Sequence, residues 1–164
     1  MKNFFSHSSA EVNKNSKIGK NTKIWNNAQI RENVIIGKNC TISKDVYIDN
    51  SVRIGNNCKI QNGVSVFKGV CIKNNVFIGP NVTFTNDKYP RADNIKWKLK
   101  RTTIENGSSI GANSTILCGI KIGKYSMIGA GSVVTKNVEA YSLVYGNPAK
   151  FIYYINKKGE KISF

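Results

Sequence analysis

Asn86, Asp87 and Arg91 stand close together in the stretch Thr85–Thr103, TNDKYPRADNIKWKLKRTT, whose second half adds Trp97 and the cations Lys96, Lys98, Lys100 and Arg101. An amide oxygen at Asn86 can orient an attacking group, and a carboxylate at Asp87 can accept a proton or bind a hydroxyl. Either residue also suits a plain Asx turn. Arg91 follows Pro90, whose fixed φ stiffens its placement, and a guanidinium there suits a phosphate or sugar oxygen. The only histidine in the chain, His7, is distant in sequence, so this stretch carries no imidazole and no multi-histidine metal site can form.

These residues interrupt a rhythm that must position them. An aliphatic residue recurs every six positions from Val12 through Ile18, Ile24, Ile30 and onward to Ile78, with Phe84 closing the series; it resumes at Ile104 and runs to Val134. Phe84 to Ile104 spans twenty residues where one repeat needs six, so fourteen are inserted without loss of register. Four places after each aliphatic comes a small or branched residue, from Ser16, Thr22 and Ala28 through Cys40 and Cys58 to Val138, which reads as a second inward row. Three places after it stands Asn, Asp or Gly, with Ser51 and Tyr125 as exceptions. Those types accept a left-handed backbone cheaply, so a turn is expected at every sixth residue.

Short strands and sharp turns at a fixed period make a solenoid, not a helix bundle, because six matches neither 3.6 nor 3.5. The expected fold is all-β: three six-residue faces close a triangular coil, and about six coils at roughly 4.8 Å spacing form a prism. Residues 1–140 are read as the prism with its loop at 85–103, and 141–164 as an extension packed on the prism end. Within that extension FIYYINKKGEKISF alternates apolar residues around Lys157, Lys158 and Gly159, as a capping hairpin or strand would.

The formal charge of +16 over 164 residues draws polyanions, from nucleic acid to phosphorylated small molecules. The lysines are scattered through the repeat and aromatic interleaving is sparse, so a nucleic-acid scaffold is the weaker reading. Cys40, Cys58, Cys71 and Cys118 form no CxxC pair and are read as buried small apolar residues. No apolar run approaches a membrane span and Met1 to Ala10 lacks a secretory core, so a cytoplasmic protein with no membrane partner is expected.

The rows IGKNCTI, IGNNCKI, IGANSTI and IGAGSVV resemble the hexapeptide repeat of the left-handed β-helix acyltransferases. FFSHSSAEV, KIW at Lys23 to Trp25, FTND followed by YPRA at Phe84 to Ala92, IGANSTILCG and a terminal GEKI further resemble the branch that acetylates nucleotide-linked 3-amino sugars for surface polysaccharides such as the O-antigen of lipopolysaccharide. The resemblance implies an N-acetyltransferase that uses acetyl-CoA and a dTDP- or UDP-linked amino-deoxyhexose, works as a homotrimer and needs no metal. A 4-amino-sugar acyltransferase, an O-acetyltransferase with an unusual base and a non-catalytic basic scaffold are the alternatives.

By the same resemblance Asn86 and Asp87 are the catalytic candidates, and Arg91, Trp25 and His7 the acceptor contacts. Trp25 follows an inward Ile24 and so points out, to stack on a base or meet a neighbouring subunit. Coenzyme A would run along the prism past Gly111, Ala112, Gly129, Ala130, Thr135 and Lys136 to Lys150 of GNPAK. The missing histidine fits an amine acceptor. A hydroxyl loses about 10² to 10⁴ in rate without a general base. An electron-poor amine with a pKa near that of an α-amino group, about 7.7 to 8.0, is partly neutral and attacks a thioester unaided.

Overall fold

The computed structural model describes residues 3–162. Its strands stack into three sheets of nine, seven and six members, all parallel but for the last strand of the first, and these are the faces of a triangular prism. Face I runs from Phe5–Ser6 through Lys23–Ile24, Thr41–Ile42, Lys59–Ile60, Phe77–Ile78, Ser109–Ile110 and Met127–Ile128 to Ser142–Gly146. Face II runs from Glu11–Val12 to Val133–Val134, and face III from Lys17–Ile18 to Lys121–Ile122. Each strand pairs with the one eighteen residues on, as in Lys23 with Thr41 and Gln29 with Tyr47. Across the insertion the offset grows to thirty-two, Ile72 with Ile104 and Phe84 with Ile116, so the loop is added without disturbing the coils.

The six-residue rule works because each position has one job. The aliphatic row, Ile24 to Val134, and the row four places later are buried with few exceptions, and together they fill the prism. Full burial of each isoleucine contributes about 1.5–3 kcal/mol, so the stack of identical rungs stabilises itself. The residue three places after the aliphatic adopts positive φ at most turns, including Asn21, Asn39, Asn57 and Asn113, and Ser51 and Tyr125 adopt it too. Coil geometry therefore imposes the left-handed conformation even on residues that pay for it.

Three expectations need correction. There are more coils than six: face I holds eight parallel strands before its antiparallel ninth. Phe5–Ser6 adds a rung before Val12, with Ser6 where an aliphatic would stand, and Ser142–Gly146 adds one after Val134. Val138 belongs to the first inward row, not the second, because it pairs with Ile122 across sixteen residues instead of eighteen. The last coil is thus two residues short, and Val144 pairs with Ile128 at the same reduced offset. Cys71 is only half-buried, at the outward place before Ile72, whereas Cys40, Cys58 and Cys118 are buried.

Segment 141–164 begins with the Ser142–Gly146 rung and turns at Asn147–Pro148 into Ala149–Tyr154, which pairs antiparallel to it. No helix among the described residues is long and apolar enough to cross a membrane.

Candidate active site

The three edges of the prism sort the predicted residues into groups. The edge between faces I and II carries, one place after each aliphatic, His7, Trp25, Ser43, Gln61, Gly79, Gly111, Gly129 and Tyr145. The edge between faces II and III carries Asn13, Arg31, Asp49, Phe67, Thr85, Leu117 and Thr135, and the insertion leaves the prism there. Face II between them is unusual for so basic a chain. Its outward column reads Glu11, Gln29, Tyr47, Ser65, Thr83, Thr115, Val133, with no lysine or arginine.

On the I–II edge the coils pack tightly at the predicted coenzyme positions. The N–H groups of Gly111 and Gly129 are used in the ladder, donating to the carbonyls of Ile128 and Val144, each at 2.8 Å. A Cβ on Gly111 would lie 2.5 Å from the Ala130 nitrogen, so only glycine fits. The N–H groups of Ala112 and Ala130 make no hydrogen bond within the described residues, so they, and not those of the glycines, are the donors left for a ligand. His7 and Trp25 lie at the N-terminal end of this edge. Trp25, 39% exposed, packs its ring 5.4 Å from that of Phe5. His7 Nδ1 lies 2.9 Å from the Ser9 hydroxyl and accepts the Ser9 N–H at 3.2 Å, so in the neutral ring its lone pair is already engaged.

On the II–III edge the insertion is tied down only at its stem. The Lys100 N–H donates to the Asn86 carbonyl at 3.4 Å, the Thr85 hydroxyl accepts the Cys118 N–H at 2.9 Å, and Leu99 lies over Gly69. The Asn86 side chain is half-buried and bonded to no described residue. Asp87 forms the Asx turn, accepting the Tyr89 N–H at 2.9 Å through one oxygen. Arg91 is exposed and donates to the Pro90 carbonyl at 2.7 Å. Beyond it Tyr89 is 70% and Ile95 90% exposed, so most of the loop projects from the chain that carries it.

The short last coil opens a cavity of about 470 Å³ lined by Lys136, Glu139, Ser142, Lys150, Phe151 and Tyr154, among others. It unites Lys136 with Lys150 but leaves out Thr135. The Tyr154 hydroxyl donates to Glu139 at 3.0 Å, and that bond pushes the phenol above its usual range. Sequence reasoning missed Glu139, Phe151 and Tyr154. The signal available was the spacing of Val134, Val138 and Val144, which shows the lost pair of residues.

One chain does not bring its candidates together. Asn86 and the Gly111–Ala130 turns are separated by face II, roughly 15–20 Å across at ~3.3 Å per extended residue. His7 sits four coils below the insertion, about 19 Å along the axis, and on the other edge. Among the described residues no three of His, Cys, Asp and Glu gather to hold a metal.

Known proteins share the repeat and the fold. The bacterial transferase hexapeptide (six repeats) pattern matches residues 15–50 and 101–136, and the hexapeptide repeat of succinyl-transferase matches 33–68. A dTDP-3-amino-3,6-dideoxy-α-D-galactopyranose 3-N-acetyltransferase of Aneurinibacillus thermoaerophilus is 50% identical over 64 residues, 39% of this chain and 33% of the relative. The chain spans about a third, or less, of the length of the first curated relatives it matches. Among solved structures, a GDP-perosamine N-acetyltransferase of Caulobacter crescentus in complex with CoA and GDP-perosamine superposes with a TM-score of 0.65 at 18% identity, over 92% of this chain and 57% of that one. A galactoside acetyltransferase in complex with coenzyme A is 29% identical, with a TM-score of 0.59 over 69% of this chain and 63% of the other.

Proposed function

We propose, from the premise that this chain belongs to the bacterial hexapeptide-repeat transferases, that it moves acetyl from acetyl-CoA to the 3-amino group of a dTDP- or UDP-linked amino-deoxyhexose. The observation that carries this reading is the insertion itself: it places Asn86 and Asp87 at a coil edge with no imidazole near, the arrangement an amine nucleophile tolerates and a hydroxyl does not. The 50% local identity to a 3-N-acetyltransferase supports the same acceptor class.

In this mechanism the neutral sugar amine attacks the thioester carbonyl. The carbon–sulfur bond breaks, the thiolate departs, and the proton from the ammonium ends on coenzyme A or solvent. Asn86 orients the amine through its amide oxygen, and Asp87, whose second oxygen remains free of the Asx turn, accepts from the amine or a sugar hydroxyl. The Ala112 and Ala130 N–H groups serve the pantetheine amides, and Lys136 and Lys150 meet the phosphates in the terminal cavity. Catalysis then rests on positioning and on preorganised donors, effects that together can exceed the share of a base.

The two groups of residues lie on different edges, so the complete site needs the loop of one copy against the coils of another. A homotrimer, with face II, which lacks lysine and arginine, at the contact, meets that need. Arg91 then contacts the acceptor with Trp25 across the interface, while His7, about 19 Å away along the axis, stays clear of the reacting amine. Sedimentation equilibrium combined with initial rates tests this reading: a trimer that releases thiol only with amino sugars supports it, and an active monomer refutes it.

A further inference from the structure

We propose that Arg31, Tyr47, Asp49 and Phe67 form the subsite for the pyrimidine base of the acceptor nucleotide, with Asp49 accepting the base N3–H and Arg31 donating to a flanking carbonyl. This inference rests on the amino-sugar reading above and adds to it where the nucleotide lies and what recognises it.

Arg31, Asp49, Phe67 and Thr85 hold the same place in four successive coils of the II–III edge, in line with the stem of the insertion. At ~4.8 Å per coil, Asp49 lies about 10 Å from Thr85 along the axis, the order of the distance from sugar to base across a diphosphate. Asp49 is half-buried and fixed. One carboxylate oxygen accepts the Asn50 N–H at 2.7 Å and the Tyr47 hydroxyl at 3.2 Å, and the other accepts the Lys68 N–H at 3.0 Å. A carboxylate offers about four acceptor directions, so one remains open, on the second oxygen.

Asp49 is in no direct ion pair: those among the described residues are Arg31 with Glu32, Lys44 with Asp45 and Lys121 with Glu105, and Arg31 meets Asp49 only as a nearby charge. Arg31 gives one nitrogen to Glu32 at 3.1 Å and stands within reach of the Tyr47 hydroxyl, on the same side as Asp49. The Tyr47 and Phe67 rings stand 5.8 Å apart at 56°, a tilted pair whose half-exposed surface offers a flat base an aromatic wall. Lys68, exposed and in no ion pair among the described residues, stands between Asp49 and the insertion, where the diphosphate would pass.

The chemistry selects the base. Uracil and thymine present one N–H, at N3, between two carbonyls, which complements an acceptor beside a guanidinium. Cytosine turns a lone pair at N3 towards the carboxylate and is repelled. Each such paired contact is worth about 1–3 kcal/mol of discrimination, roughly tenfold or more in affinity.

The test is calorimetric titration of the full chain with UDP, dTDP, CDP, GDP and 3-methyl-UDP, each alone, repeated with Asp49→Asn and with the exposed Arg31→Gln. The expected result is UDP and dTDP binding at least tenfold tighter than CDP and 3-methyl-UDP, with the gap closing to within about threefold in Asp49→Asn. Equal binding of UDP and 3-methyl-UDP by the unaltered chain, no nucleotide binding, tighter binding of GDP, or a gap that survives Asp49→Asn overturns the assignment. The unaltered chain decides even where Asp49→Asn does not fold. Turnover measured in parallel separates the two claims. Turnover of an amino sugar without base preference refutes the subsite alone; base preference with no turnover refutes the acetyl transfer alone.

Discussion

Replacing Gly111 by alanine tests whether the coils on the I–II edge are as tightly apposed as the candidate coenzyme track requires. The added Cβ would stand 2.5 Å from the Ala130 nitrogen and 2.8 Å from its Cα, whereas ordinary contact begins near 3.4 Å. The two coils would have to part by about 0.9 Å at that point. The Gly111 to Ile128 hydrogen bond, 2.8 Å long, would then be stretched beyond bonding distance. Losing one ladder bond costs about 0.5–1.5 kcal/mol and overpacking typically 1–3 kcal/mol, so a total of roughly 2–3 kcal/mol is expected. For a chain of this length that lowers Tm by roughly 4–12 °C.

Gly131→Ala is the matched control. Its Cβ would meet nothing within 4 Å, and the strain comes only from a φ of 68°, about 1–2 kcal/mol. Thermal unfolding and the acetyl-CoA dependence of the rate should be measured on both. Gly111→Ala should be the less stable and should raise KM for acetyl-CoA, because it displaces the Ala130 N–H. If Gly111→Ala melts at or above Gly131→Ala, the close-packed edge is wrong.

Other outcomes follow from the same geometry. His7→Ala should leave kcat within about tenfold, and Asn86→Ala should damage turnover or acceptor KM more; the reverse order, in steady-state kinetics, would place the chemistry on the wrong segment. Thiol titration with an aromatic disulfide should label Cys71 well before the other three, since Cys40, Cys58 and Cys118 are buried and Cys71 is half-exposed. Fast labelling of all four would refute the packing of that row. Ultraviolet titration should show two tyrosines, Tyr47 and Tyr154, ionising above the rest, and Glu139→Gln should return Tyr154 alone to the others. A raised phenol contributes stability below its unfolded pKa, near 10, and loses it as pH rises through the folded value, so the benefit of the pair disappears in strong alkali.

Much of this fold can be read before folding because the repeat couples type to place so tightly. Ile24, Asn27 and Ala28 announce core, left-handed turn and second core row, and the structure agrees at nearly every rung. The insertion could be counted to the residue because both flanking series keep phase. The ends were harder. Ser6 hides a rung because it is not aliphatic, and the two-residue loss before Val138 mimics the second row, so the short coil and its cavity go unseen. Site residues were legible as types but not as a constellation. Nothing in the spacing says that Asn86 and Gly111 lie on different edges until three residues are assigned to three faces.

The most direct test is release of free thiol from acetyl-CoA, followed at initial rate with dTDP- and UDP-linked 3-amino sugars, their 4-amino isomers and the parent hydroxy sugars. Turnover with a 3-amino sugar is expected, at a rate that rises with pH as the free amine loses its proton, with the same profile in His7→Ala. Turnover of hydroxy sugars alone, or of no amino sugar at all, would contradict that expectation.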